Sequence, residues 1–148
     1  MADASDMIKL YSNQILALAA HIPHSERLDT PDRSEMKRSP LCGSTVTVDV
    51  AVKDGVVSDF GQDVKACALG QAAASVLGAS VIGQSLESIR TGRDQLAAML
   101  KSDGPAPDAP FDRLKVLEPA KAYKNRHASI LLAFDATVAA LDSLDETA

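Results

Sequence analysis

The chain has 148 residues, of which 46% are hydrophobic, 24% charged and 3% aromatic, with no Trp. This length allows one domain, 1–148, with a modest core built mainly from aliphatic side chains. The net charge is −5 and no long basic stretch occurs. Nucleic acid is therefore not an expected partner, because phosphate contacts need clustered Lys and Arg.

The first residues are acidic and polar, whereas a secretory signal begins with a positive and then an apolar stretch. No apolar run in the sequence approaches the roughly 20 residues that a membrane-spanning helix needs. We therefore expect a cytoplasmic protein without membrane contact. In that compartment Cys42 and Cys67 are more often reduced, catalytic or metal-binding thiols than a structural disulfide.

The first part of the chain predicts one helix and then a long loop. Apolar residues recur at helical spacing from Met7 to Ala20, and Pro23 stops the pattern. Residues 21–41 are polar and contain three prolines, which indicates a loop. One short edge strand is expected within this loop, near Glu35–Lys37.

A β-hairpin is the clearest element of the sequence. Residues 45–52 carry Val at every second position, which is the period of a strand with one buried face. Asp54–Gly55 follows as a turn, since Gly tolerates positive φ, and Val56–Lys65 is the return strand. The hairpin is expected to bring Cys42, before the first strand, and Cys67, after the second, to one end of the sheet.

Helices are predicted for the rest of the chain. The fold class is therefore α+β, with a strand hairpin first and helices after it. The predicted segments are a small-residue helix from Cys67 to Leu77 ended by Gly78, a turn that leads into a helix capped by Ser85, a further helix over Asp94–Leu100, a loop over 103–110, a short helix over Phe111–Leu117, and a last helix from about Asn125 to Leu144.

Cysteine and histidine are the residue types in this sequence that can bind iron or zinc most readily. Cys67 is expected at a helix N-terminus, where the helix dipole favours the thiolate form that binds metal or accepts sulfur. His127 lies at the start of the last helix, whereas His21 and His24 fall in the polar loop as ordinary exposed side chains. Taken alone, the two cysteines are equally compatible with small buried hydrophobic residues.

The chain resembles the NifU N-terminal domain family, also called IscU or SufU, whose members are iron–sulfur cluster assembly scaffolds. The resemblance covers most of the chain and keeps the order of elements. The matching segments are Cys42–Gly43 before the Val-rich strand, Asp54–Gly55, Cys67 with its small-residue helix, Val81 to Glu87, and Leu132 to Ala136. It implies a SufE/NifU-like fold: a small, mostly antiparallel three-stranded sheet with helices packed on one face.

The family pattern has three cysteines and an acidic residue, and this chain departs from it at two positions. Cys42 and Cys67 match the first two cysteines, but Ser44 stands at the acidic position. The third cysteine, at the start of the last helix, is replaced by Ser129 or, in another register, by Ala128. The register with Ser129 matches more neighbouring residues.

The resemblance implies a cluster or metal site formed by Cys42, Cys67 and His127. Since such sites use about four ligands, a fourth is expected from Asp63, Asp59 or a partner chain. The implied function is that of a scaffold that accepts sulfur from a cysteine desulfurase, holds iron, and passes an iron–sulfur cluster to acceptor apoproteins. By this expectation the protein is not an enzyme.

Two alternatives remain open from the sequence. The first is a degenerate scaffold homologue that binds zinc or no metal and serves as an interaction or regulatory module. The second is a thiol enzyme in which Cys67 is the nucleophile and His127 the base. No third residue that would orient the base is evident, which makes the second alternative the weaker one.

Overall fold

The structure, a computed structural model, describes residues 12–40 and 43–147. Met7, the predicted start of the first helix, and Cys42 lie outside these residues. Ser12 has extended backbone angles and caps a helix that begins at Asn13, so the prediction of one continuous helix from Met7 to Ala20 is wrong. The elements are α1 (Asn13–Ala20), β1 (Arg33–Arg38), β2 (Thr45–Lys53), β3 (Val56–Lys65), α2 (Ala68–Ser80), α3 (Leu86–Lys101), a 3₁₀ helix (Asp112–Ala122) and α4 (Lys124–Thr147).

The predicted α+β fold is confirmed. The three strands form an antiparallel sheet in the order β1-β2-β3, and the predicted edge strand is β1. Asp54 and Gly55 both have positive φ, at 56° and 81°, and make the expected hairpin turn. The register pairs Thr45 with Lys65, so the start of β2 and the end of β3 lie side by side.

The core lies between the sheet and the helices. Val46, Val48 and Val50 are fully buried on one face of β2, as their alternation predicts. The last helix, α4, contacts β1, β2, α2 and α3. Residues Lys124–Leu144 are long and apolar enough to cross a membrane, but 67% of that window is buried inside the protein. That burial is typical of a central core helix.

The prediction that Gly78 ends α2 is wrong, since the helix continues to Ser80. A Cβ at position 78 would lie 2.8 Å from the carbonyl oxygen of Pro23 and 2.9 Å from Nε2 of Gln62. The glycine is needed because the loop after α1 and strand β3 approach the helix closely. It is a packing residue and not a helix stop.

Ser85 caps α3 as predicted, and its hydroxyl accepts a hydrogen bond from the amide of Ser88 at 3.1 Å. The two helices predicted after it are one continuous helix, α3, and Gly92 in its middle packs against Phe111. A Cβ at Gly92 would lie 2.6 Å from the Phe111 ring. The short helix predicted at 111–117 is a longer 3₁₀ helix, Asp112–Ala122, with Pro119 inside it.

A buried carboxylate, Asp49, holds the long loop against the other face of the sheet. Its side chain is fully buried and accepts hydrogen bonds from Nε of Arg27 at 2.6 Å, from Nη2 of Arg27 at 3.0 Å and from the amide of Leu28 at 3.0 Å. The hydroxyl of Ser34 on β1 donates to it as well. Opposite Asp49, Gly61 leaves room for the loop, since a Cβ there would meet the carbonyl oxygen of Glu26.

Burial alone would raise the pKa of Asp49. The hydrogen bonds from Arg27, Ser34 and Leu28 and the charge of Arg27 outweigh burial and hold that pKa below its ordinary value. A carboxyl whose folded pKa is depressed stabilises the fold fully above its unfolded pKa, about 3.9. The contribution is lost as the pH falls through the lower pKa of the folded protein.

We expect Asp49→Asn to lower the free energy of unfolding at pH 7 by about 2 kcal/mol, because it removes a buried charge from a hydrogen-bonded pair. Urea denaturation measures this change. The difference between wild type and variant should be constant down to about pH 5 and shrink below about pH 4. As a control, Asp103→Asn breaks an exposed pair with Lys121 and should have a much smaller effect, because exposed ion pairs contribute little. Equal effects of the two substitutions would contradict this account of the loop.

Candidate functional site

Cys67 lies at the N-cap of α2, with extended backbone angles of φ −68° and ψ 169°. Its carbonyl accepts the first helical hydrogen bond, from the amide of Gln71 at 2.9 Å. Its side chain makes no capping hydrogen bond and is half-buried. The thiol is therefore not used to start the helix, and the predicted position at a helix N-terminus is confirmed.

The Cys67 thiol contacts one serine hydroxyl, which is in turn bonded to a second. Its Sγ lies 3.6 Å from Oγ of Ser129 on α4. Ser129 in turn donates a hydrogen bond of 3.1 Å to Oγ of Ser44, which directly precedes β2. Both serines are buried, with 1% and 6% of their surfaces exposed. Three elements distant in sequence thus converge at one end of the sheet.

Gly70 makes the contact between α2 and α4 possible. A Cβ at this position would lie 2.9 Å from both the carbonyl oxygen and Oγ of Ser129, and 2.9 Å from Cβ of Ala66. Atoms this close would have to move apart. The missing side chain therefore lets the first turn of α2 lie directly on α4, which brings Cys67 to Ser129.

The turn between β1 and β2 completes this end of the sheet. The amide of Ser39 donates to the carbonyl of Ser44 at 2.8 Å, and the amide of Gly43 donates to the carbonyl of Ser39 at 2.9 Å. Gly43 has a positive φ of 71°, which glycine adopts without strain. Cys42 itself lies outside the described residues, so its position beside Cys67 remains a prediction.

His127 has a partner on the 3₁₀ helix. Its Nε2 lies 3.0 Å from the carbonyl oxygen of Ala120, and since a carbonyl only accepts, Nε2 carries the proton of this bond. His127 and Ala128 line a surface hollow of about 410 Å³ together with Lys101, Lys121 and Lys124. Neither Cys67 nor Ser129 lines it. The role of His127 as a ligand remains a prediction that requires this bond to break or Nδ1 to bind.

The two aspartates considered as further ligands, Asp59 and Asp63, both lie on β3. Asp59 pairs with Ala51 near the hairpin turn, and the strand from there to Lys65 spans roughly 20 Å. Asp63 pairs with Thr47 on the face that holds Asp49, and its carboxylate lies 3.9 Å from Nζ of Lys65. Among the side chains described in residues 12–40 and 43–144, no group of three or more His, Cys, Asp or Glu could hold a metal ion, and nothing there supports a zinc site.

Comparisons with known proteins decide the family. The NifU-like N-terminal domain model matches residues 10–129. The chain belongs to the NifU-like N-terminal domain family. The match ends at Ser129, the residue in contact with Cys67. The resemblance drawn from the sequence is thereby confirmed.

Relatives of this NifU-like chain include named scaffold proteins. It is 25% identical over 135 residues, 91% of its own length and 94% of the relative's, to the iron–sulfur cluster assembly scaffold protein IscU of Thermotoga maritima. The crystal structure of a nitrogen-fixing NifU-like protein (N-terminal) from Brucella abortus superposes with a TM-score of 0.94 at 44% identity, over 97% of this chain and 99% of that one.

A third comparison concerns the fold alone. A crystal structure from Fervidobacterium islandicum, described as a scaffold protein of iron–sulfur cluster assembly for the SUF system, has a TM-score of 0.81 at 18% identity. It covers 90% of this chain and 98% of that one. The sheet and helices of the NifU-like chain are therefore shared with more distant proteins.

Within this NifU-like fold, the geometry favours one of the two registers for the third cysteine. Ser129 contacts Cys67, whereas Ala128 lines the hollow next to His127. This contact supports the register with Ser129, and the assignment of the third-cysteine position to Ser129 stays a prediction. The contribution of Gly70 was missed from the sequence, although a glycine one turn after the cysteine in an Ala-rich helix is a signal of close packing.

We expect Gly70→Ala to destabilise the protein, because its Cβ would clash with α4, although Ala is normally better than Gly in a helix by about 0.5–1 kcal/mol. The loss should be about 1–3 kcal/mol in urea denaturation. At exposed position 79 of the same helix, Ala79→Gly should also destabilise, by about 0.5–1 kcal/mol. A Gly70→Ala variant more stable than wild type would show that α2 and α4 are not in close contact there.

Proposed function

We propose that this protein is a scaffold of iron–sulfur cluster assembly that accepts sulfur on its cysteines, binds iron beside it and passes the product to acceptor apoproteins. Its sulfur donor is a cysteine desulfurase, and the work takes place in the cytoplasm. The protein itself catalyses no turnover of a free substrate. The single observation that supports the proposal is the contact of the half-buried Cys67 with Ser129, in a chain that the NifU-like N-terminal domain model matches over residues 10–129.

The sulfur step requires only Cys67 and the donor. The Cys67 thiolate attacks the outer sulfur of a persulfide on the desulfurase. A new S–S bond forms on Cys67, the S–S bond of the donor breaks, and the donor cysteine leaves as a thiolate. Conversion of the bound sulfur to sulfide then takes two electrons, which a dithiol or a reduced electron-transfer protein supplies. The half-buried position of the thiol leaves one side open to the donor.

The iron site in this chain has fewer soft ligands than the family pattern. Hydroxyl groups such as Ser129 are poor ligands for metals that prefer thiolate or imidazole. Cys42 and Cys67 supply two thiolates, and the remaining coordination positions fall to His127, solvent or a partner protein. A cluster held this way leaves readily, which suits a protein that must give up its cargo.

We expect Ser129→Cys to increase the retention of iron after anaerobic reconstitution with ferrous iron, cysteine and a desulfurase. Removal of a residue that only hydrogen-bonds to a metal ligand lowers metal affinity about 10- to 100-fold. A new thiolate that binds iron itself should therefore slow the loss of iron to a chelator at least about tenfold. Iron analysis and visible absorption measure the effect. Cys67→Ala should abolish the absorption that depends on the desulfurase.

Ser102→Cys is the matched control, because it adds a thiol at an exposed serine that follows α3. It should leave iron retention at the wild-type level. If the wild-type protein takes up neither sulfur nor iron, and Ser129→Cys does not restore uptake, the scaffold proposal fails. The degenerate interaction module expected as the alternative would then be favoured.

A further inference from the structure

We propose that Ser129 is a positioning residue that holds the sulfur on Cys67 and is not a ligand to iron. The inference rests on the proposed function in one respect, namely that Cys67 carries sulfur. It extends that function by giving a role to the hydroxyl that replaces the third thiol. The structural basis is the chain of contacts from Cys67 to Ser129 to Ser44.

The hydroxyl proton of Ser129 has two acceptors within reach. One is Oγ of Ser44 at 3.1 Å, which receives it in this structure. The other is Sγ of Cys67, at 3.6 Å. Hydrogen bonds to charged acceptors are roughly twice as strong as those between neutral groups. A negatively charged sulfur on Cys67 therefore attracts the proton of Ser129 away from Ser44.

The added sulfur of a persulfide lies about 2 Å from Sγ. Rotation about the Cβ–Sγ bond brings this sulfur within hydrogen-bonding distance of Ser129. The oxygen of Ser129 is well fixed for this task, because the residue is 1% exposed, lies on a core helix and packs against the backbone at Gly70. The buried hydroxyl is thus placed beside the sulfur by the fold itself, before sulfur arrives.

A glutathione thiolate that removes the sulfur attacks its outer atom, so a new S–S bond forms, the S–S bond to Cys67 breaks, and Cys67 leaves as a thiolate. A hydrogen bond to the persulfide anion stabilises the state before that attack. Removal of the hydroxyl is therefore expected to shorten the lifetime of the persulfide. A hydrogen bond to a charged group contributes enough free energy to change the lifetime of the persulfide about five- to tenfold. A residue that served only to pack the helix would not change this lifetime selectively.

The test uses the full chain, loaded anaerobically with inorganic polysulfide and then exposed to glutathione. The Cys67 thiolate takes one sulfur atom from the polysulfide and releases a polysulfide that is one atom shorter. No desulfurase is therefore needed. Alkylation and mass spectrometry of the peptide that contains Cys67 follow the persulfide with time. In Ser129→Ala the persulfide should decay about five- to tenfold faster than in wild type.

Thr137→Val is the matched control. It removes another fully buried hydroxyl of α4, which donates to the carbonyl of Ala133 at 2.7 Å within the helix. Its persulfide lifetime should equal that of wild type, while thermal unfolding reports how far each variant is destabilised. Equal lifetimes in wild type and Ser129→Ala, or a persulfide that does not form on Cys67 of the wild type, would overturn the inference.

A second readout separates a positioning residue from a ligand. After reconstitution with ferrous iron and sulfide, Ser129→Ala should keep the shape of the wild-type visible spectrum, and a shifted spectrum would mean that Ser129 binds iron. A wild type that is loaded by polysulfide but not by a desulfurase would refute the proposed function. It would leave the role of Ser129 intact, so the two failures are distinguishable.

Discussion

The close approach of α2 to α4 at Gly70 is the constraint on which the site depends. A thiol at the start of a helix contacts another helix closely only if the two backbones come near each other. Here the absence of one Cβ allows contact with both the backbone and the hydroxyl of Ser129. The position of the Cys67 sulfur is therefore set by helix packing, which is rigid because protein interiors are close-packed.

Much of the fold could be predicted from the sequence, because the hairpin carries two independent signals that agree. The Val alternation over 45–52 sets the buried face, and Asp54–Gly55 sets the turn, so together they determine the register. That register places the segment before β2 beside the segment after β3. The contacts of Ser129 with Cys67 and with Ser44 follow from it once α4 is packed on the sheet.

One error in the prediction comes from the local role assigned to a glycine. Gly78 lies inside α2, at a position where the loop after α1 and strand β3 come too close for any side chain. From the sequence alone, a glycine near the end of an apolar pattern indicates a helix stop, since that is its commonest local role. Only tertiary contacts distinguish a stop from a packing site. The same ambiguity hid the role of Gly70.

Asp49 shows the corresponding limit for charges. Its place in the alternation correctly puts it on the face opposite the valines, and such a residue is expected to meet solvent. The loop with Arg27 and Leu28 covers that face instead, so the carboxylate is buried and paired. The sequence holds no local signal for this cover, because it depends on a contact between residues more than 20 positions apart.

Within the proposed function, Ser129 and Ser44 affect how strongly this end of the sheet binds iron and how readily it accepts anionic sulfur. A thiolate and a carboxylate would each add a negative charge and could only accept hydrogen bonds, whereas Ser129 and Ser44 are neutral and can donate. Fewer negative charges attract ferrous iron less strongly. A site with fewer negative charges also repels an incoming persulfide or polysulfide anion less, because like charges at short distances repel each other. Within the proposed function, the substitutions therefore weaken the site as a metal ligand set and favour it as a place where anionic sulfur arrives first and iron follows.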